Sequence, residues 1–293
     1  MTTTLRLVLL LALGTASVTR ADDPAQRGSF GVRSCRVEAR VGEKQQASFL
    51  EVRYPDAPGP RPIVVICHGW AAHARKFVPL AEHLASRGFV AACFEQPDAW
   101  GSSTPRWARQ LKDGIAALEA ASRSPASPLA GRLDWSRLAL LGHSYGAAAS
   151  VVVASEDPRV RAVVALSPVN QSHRALLLER GARLTMPLLI ISGQLDWIAT
   201  RRYTQALYEA ATSAPRRQFL HVAWAGHDLH VGGGSKAELS RRYSTAWLER
   251  ALLGAPPSAL TDGSQPRRDL AEKRLVRALI FPAVSSGLTA SIP

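Results

Sequence analysis

Short apolar segments alternate with longer amphipathic segments along most of this chain, and the alternation predicts its secondary structure. Two β-rich segments come first and are joined by a turn-prone link at Gly42. The later strand-like runs are apolar throughout, which is typical of parallel strands with helices on both faces. The predicted strands cover residues 33–39, 47–54, 63–67, 89–94, 137–141, 160–166, 188–191 and 219–224. Helices are predicted over residues 76–87, 106–122, 144–154, 201–211 and 235–253.

These elements predict an α/β fold with an eight-stranded, mostly parallel sheet flanked by helices. A hydrophobic content of 46% suits one large domain with a sizeable core, which we assign to residues 22–253. The stretch between Leu166 and Leu188 has room for one short helix and none for a cap domain. An open site is therefore expected.

The two ends of the chain differ in composition from this domain. Arg6 is followed by the apolar run 7–13 and by small residues, which is the pattern of a signal peptide over residues 1–21. A frayed amphipathic N-terminus is the alternative. A signal peptide implies a secreted or periplasmic product, without stable membrane insertion once the signal is removed. Residues 254–293 form a basic tail that is expected to be partly helical or mobile.

Charge and cysteine content exclude several classes of protein. The net charge of +13 comes with scattered arginine pairs and no aromatic-rich motif, so solvated surface is favoured over nucleic-acid binding. Three cysteines, Cys35, Cys67 and Cys93, allow at most one internal disulfide. No Cys or His spacing typical of a metal site is present, so neither a metal nor a cofactor is expected. We expect a monomer.

The strongest chemical signal is a Gly-His-Ser-Tyr-Gly stretch centred on Ser144, between an apolar strand and a helix of small residues. Such a turn needs Gly142 and Gly146, because side chains there would collide with neighbouring backbone. The turn would project the Ser144 hydroxyl above the sheet as a nucleophile. A serine that only caps the helix is the alternative, and the flanking strand and helix favour the nucleophile.

A serine nucleophile needs a base to take its proton and an acid to orient that base. Asp196 follows a predicted strand through a short loop, where a carboxylate can hold an imidazole; a turn aspartate is the alternative. His227 lies in a small-residue loop between the last strand and the last long helix. His221 and His230 are rivals, but His221 falls inside a strand and His230 lies further into the loop. The chain order therefore predicts a triad of Ser144, Asp196 and His227.

Acyl transfer also needs hydrogen-bond donors for the developing oxyanion, and backbone amides can supply them. One predicted donor is the amide of Tyr145, directly after the nucleophile. The other is the amide of Trp70, in a tight turn at Gly69 after the strand 63–67. Aromatic side chains near these loops are candidates for binding acyl or aromatic ester groups, with a place in the core as the alternative. They are Trp70, Tyr145, Trp197 and Trp100.

Taken together, these motifs resemble the α/β-hydrolase superfamily over residues 61–253. The motifs are Cys67-His68-Gly69-Trp70, the serine stretch 142–146, Asp196-Trp197-Ile198-Ala199 and Gly226-His227. Within the superfamily, the chain resembles the lidless branch of dienelactone-hydrolase-like proteins, chlorophyllases, and bacterial cutinases or polyester hydrolases. The resemblance implies a serine carboxylic ester hydrolase acting on a small-molecule or polymeric ester. The chain departs from two members of the branch, because Ser144 replaces the cysteine of dienelactone hydrolases and Tyr145 the Met common in polyester hydrolases.

Two other functions stay open at this point. An amidase or peptidase of the same fold would use the same triad, because the leaving group is not written in the sequence. A non-catalytic binding protein could keep the fold and lose the chemistry. Such a protein normally lacks a triad member, whereas all three residue types are present here.

Overall fold

One mixed sheet of nine strands runs through the computed structural model, which describes residues 23–169 and 173–281. The strands are β1 (Val32–Val41), β2 (Gln46–Pro55), β3 (Arg61–Cys67), β4 (Val90–Phe94), β5 (Leu133–His143), β6 (Val160–Leu166), β7 (Leu188–Gly193), β8 (Arg217–Val222) and β9 (Leu275–Phe281). Their order across the sheet is β1-β2-β4-β3-β5-β6-β7-β8-β9. Strands β3 to β8 pair in parallel, whereas β1, β2 and β9 are antiparallel to their neighbours. The predicted α/β fold with a mostly parallel sheet is confirmed.

Helices cover both faces of this sheet. They are α1 (Val78–Ser86), α2 (Thr104–Arg123), α3 (Tyr145–Ala154), α4 (Arg174–Ala182), α5 (Arg201–Ala210), α6 (Ser235–Leu252), α7 (Ala259–Asp262) and α8 (Ser264–Ala271). Helices α2 to α5 pack on one face, and α1 and α6 pack on the other. In β3, Ile63 and Val65 face the first core while Val64 and Ile66 face the second. Both faces are buried, which is why the strands read as continuous apolar runs.

The C-terminal segment contributes the ninth strand, which corrects the prediction of eight. Strand β9 pairs antiparallel with β8 at the edge of the sheet. Leu275 is its one fully buried residue, and Arg277 interrupts its apolar run. An edge strand that is only partly covered carries such a weak apolar pattern, so the sequence does not reveal it. Helices α7 and α8 precede β9 in this segment, and Tyr243 of α6 donates a hydrogen bond to Asp269 of α8.

Residues 1–22, which include the predicted signal peptide, lie outside the described residues. Among the helices that the structure does describe, none has both the length and the apolarity needed to cross a bilayer. The three cysteines are free thiols. Burial raises the pKa of Cys67 and of Cys93, so both thiols stay protonated inside the sheet.

Candidate active site

Four loops at one edge of the sheet carry the residues that the sequence predicts for the site. Parallel strands end at the same edge, so the loops after β3, β5, β7 and β8 open on the same side. The residues on these loops are Trp70, Ser144, Asp196 and His227, in that strand order. The fold therefore gathers residues that are far apart in the sequence.

Ser144 occupies a strained turn between β5 and α3, with φ 55° and ψ −121°. Residues other than glycine rarely adopt a positive φ, so the surrounding contacts must hold it. Its amide donates to the carbonyl oxygen of Leu166 at 2.9 Å. A Cβ on Gly142 would lie 2.3 Å from the carbonyl oxygen of Gly146, and a Cβ on Gly146 would lie 2.2 Å from that of Cys67. Close backbone packing thus requires both glycines of the motif.

Asp196 holds the imidazole of His227 from a buried position. The Nδ1–H of His227 donates to Oδ2 of Asp196 at 2.8 Å. The amides of Ile198 and Ala199 donate to Oδ1 at 3.0 and 2.7 Å. Burial raises the pKa of Asp196, but the hydrogen bonds from His227 and Ala199 outweigh burial, so the pKa lies below its usual value. Because Nδ1 carries the ring proton, Nε2 of His227 is left to accept one.

His143 joins the His227 loop to the nucleophile loop. It directly precedes Ser144, and its Nε2–H donates to the carbonyl oxygen of His227 at 3.1 Å. The two imidazole rings have their centroids 4.7 Å apart. Burial lowers the pKa of His143 to about 4, so the ring is neutral near neutral pH. A Cβ on Gly69 would lie 3.1 Å from Nδ1 of His143, so this ring packs against the β3 loop as well.

The loop after β3 packs against the nucleophile at Gly69. The carbonyl oxygen of Gly69 accepts from Nδ1–H of His68 at 2.8 Å and from the amide of Ala72 at 3.2 Å. The N–H of Trp70 belongs to the same trans peptide, so it points away from those two donors. Gly69 abuts the nucleophile, because a Cβ there would lie 2.8 Å from Cβ of Ser144. The Trp70 amide therefore suits the predicted role of oxyanion donor.

Two of the predicted substrate-binding aromatics, Trp70 and Trp100, form a pair at the rim of the site. The Nε1–H of Trp70 donates to the carbonyl oxygen of Trp100 at 2.8 Å, and the ring centroids are 5.1 Å apart in an edge-to-face arrangement. Tyr145 differs, because its half-buried ring packs on the buried ring of Trp107. Its amide opens α3 and has no acceptor within the helix, which leaves this N–H for the predicted oxyanion role.

Trp197 and Trp224 stand out from the protein surface on the loops after β7 and β8. Trp197 is 81% exposed and Trp224 is 72% exposed. The sequence predicts a strand over 219–224, but β8 ends at Val222 and Trp224 lies in the loop. Sequence reasoning missed Trp224 because an apolar run does not show where the hydrogen-bonded ladder stops. A tryptophan at the end of a predicted strand was the available signal.

The two rival histidines are buried and bonded to hydroxyl groups. Nδ1 of His221 lies 2.9 Å from Oγ of Ser192, and burial lowers the pKa of His221 to about 4. Nε2 of His230 lies 3.1 Å from Oγ of Ser167. Both rings belong to interior hydrogen bonds. Within the described ranges no group of three or more His, Cys, Asp or Glu residues could hold a metal ion.

Comparison with known proteins finds one family and several ester hydrolases that this chain resembles. The PETase family, described as PET hydrolase-like, matches residues 14–254. Cutinase est1 of Thermobifida alba is 28% identical over 250 residues, which cover 80% of this chain and 79% of that protein. Cutinase cut1 of Thermobifida fusca is 27% identical over 255 residues, which cover 83% and 76%. A bis(hydroxyethyl) terephthalate hydrolase of Streptomyces coelicolor is 26% identical over 266 residues, which cover 83% and 79%.

Proposed function

Because this chain belongs to the PET hydrolase-like family and is a carboxylic ester hydrolase, we propose that Ser144, His227 and Asp196 perform the cleavage. The observation that carries the proposal is the 2.8 Å hydrogen bond from Nδ1 of His227 to Oδ2 of Asp196. That bond orients the imidazole on a loop that contacts the residue next to Ser144. The strained turn at Ser144 supports a nucleophile, since such strain is retained where function needs it.

The reaction passes through an acyl-enzyme. Nε2 of His227 takes the proton of the Ser144 hydroxyl while Oγ attacks the ester carbonyl carbon. The amides of Trp70 and Tyr145 stabilise the oxyanion that forms. The tetrahedral intermediate collapses, the alcohol leaves with the proton from His227, and the acyl group stays on Oγ. Water, deprotonated by His227, then attacks the acyl carbon, which releases the acid and restores the hydroxyl.

The substrates are bulky esters, including aromatic and polymeric ones. The relatives include cutinases and a bis(hydroxyethyl) terephthalate hydrolase. The exposed rings of Trp70, Trp100, Trp197 and Trp224 offer apolar contact area beside the site. Between β6 and β7 the described part of the chain contains only α4, which favours an open site that a polymer chain can reach. A substrate panel from acetate esters to an insoluble polyester tests this breadth.

Active-site titration tests the catalytic assignment. An organophosphonate should label the intact protein stoichiometrically and abolish ester turnover, while Ser144→Ala should neither label nor turn over. Stoichiometric labelling would exclude a non-catalytic binding protein. A matched pair of an ester and its anilide then separates an esterase from an amidase or peptidase. Faster anilide cleavage would refute the esterase assignment.

The enzyme acts outside the cytoplasm as a monomer without a cofactor. The apolar run after Arg6 supports export through a cleaved signal peptide at residues 1–21. Expression with and without residues 1–21, followed by cell fractionation, tests export, and retention of the full chain in the cytoplasm would refute it. Turnover in the presence of a chelator and elution on a sizing column test the other two points.

A further inference from the structure

A buried series of hydrogen bonds joins Ser240, His230 and Ser167 beside the strand that leads to Asp196. His230 lies inside the molecule, where Nε2 is 3.1 Å from Oγ of Ser167 and Nδ1 is 2.8 Å from Oγ of Ser240. The Ser167 hydroxyl also acts as a hydrogen-bond donor that helps to lower the pKa of the Asp196 carboxyl group. Ser167 follows β6, His230 follows β8 and Ser240 belongs to α6, so three separate parts of the chain meet here.

The ionised carboxylate of Asp196 determines which group donates and which accepts in each of these hydrogen bonds. An ionised carboxylate only accepts hydrogen bonds, so Ser167 donates its hydroxyl proton to Asp196. The Oγ of Ser167 then accepts from Nε2–H of His230. Burial lowers the pKa of His230 well below its usual value, so the neutral ring has one N–H and its Nδ1 accepts from Ser240. The bonds therefore run from Ser240 through His230 and Ser167 to Asp196.

We propose that Ser167 and His230 are positioning residues that hold the Asp196 carboxylate in the orientation His227 requires. The inference rests on the proposed function, because it assigns Asp196 to the triad. Asp196 is 3% exposed, so bulk water does not replace a lost protein donor easily. The buried place of His230 also explains why this histidine, a rival base by sequence, serves Asp196 indirectly.

The backbone conformation and hydrogen bonding of Ser167 fix the position from which its hydroxyl group extends. Its φ of 44° lies in the left-handed region, which a serine occupies only when its surroundings hold it there. Its amide donates to the carbonyl oxygen of Ile191 at 2.7 Å, which ties the turn to β7. Strand β7 leads directly into the Asp196 loop. The hydroxyl of Ser167 and the carboxylate of Asp196 are thus fixed to adjacent strands.

Ser167→Ala tests the proposal most directly. Loss of one hydrogen bond to a charged group should lower kcat for a soluble ester by about tenfold, with KM within about twofold of the parent. Ser150→Ala is the matched control, because Ser150 is equally buried on α3 and its hydroxyl has no hydrogen-bond partner in the described structure. Equal kcat values for Ser167→Ala and Ser150→Ala would overturn the proposal.

The pH profile separates positioning from a general structural role. Without the Ser167 hydroxyl, the Asp196 carboxylate binds the protonated His227 ring more tightly, so the acid limb of kcat/KM should move to higher pH. The other titratable groups that face this region are His143, His221 and Asp228. These groups are unchanged in the variant. A lower rate with an unmoved acid limb would show that Ser167 only supports packing.

A second pair of variants covers the case in which Ser167→Ala does not fold. Ser240 and Ser244 are buried on the same helix, α6, one turn apart, and the Ser244 hydroxyl has no hydrogen-bond partner in the described structure. Ser240→Ala frees the His230 ring to change tautomer and should lower kcat by about threefold. Ser244→Ala should leave kcat unchanged. If the two substitutions change kcat equally, the hydrogen bonds beyond Ser167 have no role in positioning Asp196.

Phosphonate labelling distinguishes failure of this inference from failure of the proposed function. If the triad is correct and Ser167 positions Asp196, Ser167→Ala should label completely but about tenfold more slowly than the parent. Labelling at the parent rate would overturn the positioning role while leaving the triad intact. An unlabelled parent would instead refute Ser144 as the nucleophile.

Discussion

The imidazole of His227 donates from Nδ1 to Oδ2 of Asp196 across 2.8 Å, and this bond selects the tautomer of the ring. Nε2 is thereby left unprotonated on the side that a base must use. The amides of Ile198 and Ala199 hold the other carboxylate oxygen, so the acceptor itself cannot rotate freely.

Asp196→Asn should lower kcat by about 10³ to 10⁴-fold, with the fold retained. The carboxamide can present its NH₂ group to the ring and favour the tautomer whose proton sits on Nε2, where it cannot act as a base. Steady-state kinetics on a soluble ester, with circular dichroism as the folding check, measure this. A variant within about tenfold of the parent rate would contradict the assignment of Asp196.

Gly69→Ala should lower kcat by about tenfold or more while KM changes little. The added methyl group would lie 2.8 Å from Cβ of Ser144, so the loop that carries the Trp70 amide must move. Gly233→Ala is the control, because a Cβ there meets nothing within 4 Å. Equal rates for the two variants would show that the position of this loop does not matter to the reaction.

The parts of this molecule that could be predicted from sequence are those governed by local geometry. Gly142 precedes His143 and Ser144 because a Cβ there would collide with the backbone of Gly146, and this constraint lies within five consecutive residues. Parallel strands can be predicted as well, because burial on both faces of the sheet makes the sequence of each strand a continuous apolar run. Because parallel strands end on the same side of the sheet, the loops after these strands bring Asp196 and His227 to the side that carries Ser144.

The parts that could not be predicted depend on contacts between distant segments. Ser167, His230 and Ser240 meet only after three elements fold together, and no spacing in the sequence marks them. Strand β9 is visible only from its pairing with β8, because its own residues are mostly half-buried. The exposed loop position of Trp224 could not be predicted, because the apolar run of the preceding strand continues up to this residue.

Acidification should destabilise the folded protein between about pH 6.5 and pH 4. Burial lowers the pKa of His83, His143 and His221 to about 4 in the fold, from an ordinary value of 6.5. The unfolded chain therefore takes up protons in this window that the folded chain does not, so stability is full above it and falls with pH. Urea unfolding at several pH values measures the loss. His83→Gln should reduce the pH dependence by about 1 kcal/mol or more, and an unchanged slope would contradict the assignment.

Tyr243→Phe should lower the free energy of unfolding by about 1 to 3 kcal/mol. The phenol donates to the buried carboxylate of Asp269, which links α6 to the helix before β9, and the variant leaves that carboxylate short of one donor. Tyr203→Phe on α5 is the control, because its ring lies half-buried at the surface. If both variants unfold at the same urea concentration, the C-terminal helix and strand are not anchored through this bond.

Trp197→Ala should weaken the cleavage of bulky aromatic esters more than that of acetates. The indole is 81% exposed beside Asp196, so it has little packing to lose and its removal should leave the fold intact. If the ring is a contact surface for substrate, kcat/KM for an aromatic ester should fall by about 1 to 3 kcal/mol in transition-state stabilisation relative to an acetate. Leu253→Ala, at an exposed apolar position after α6, controls for a general change in surface hydrophobicity. Equal losses on both esters would mean that Trp197 acts on the catalytic loop, and no loss on either would remove it from the substrate-binding surface.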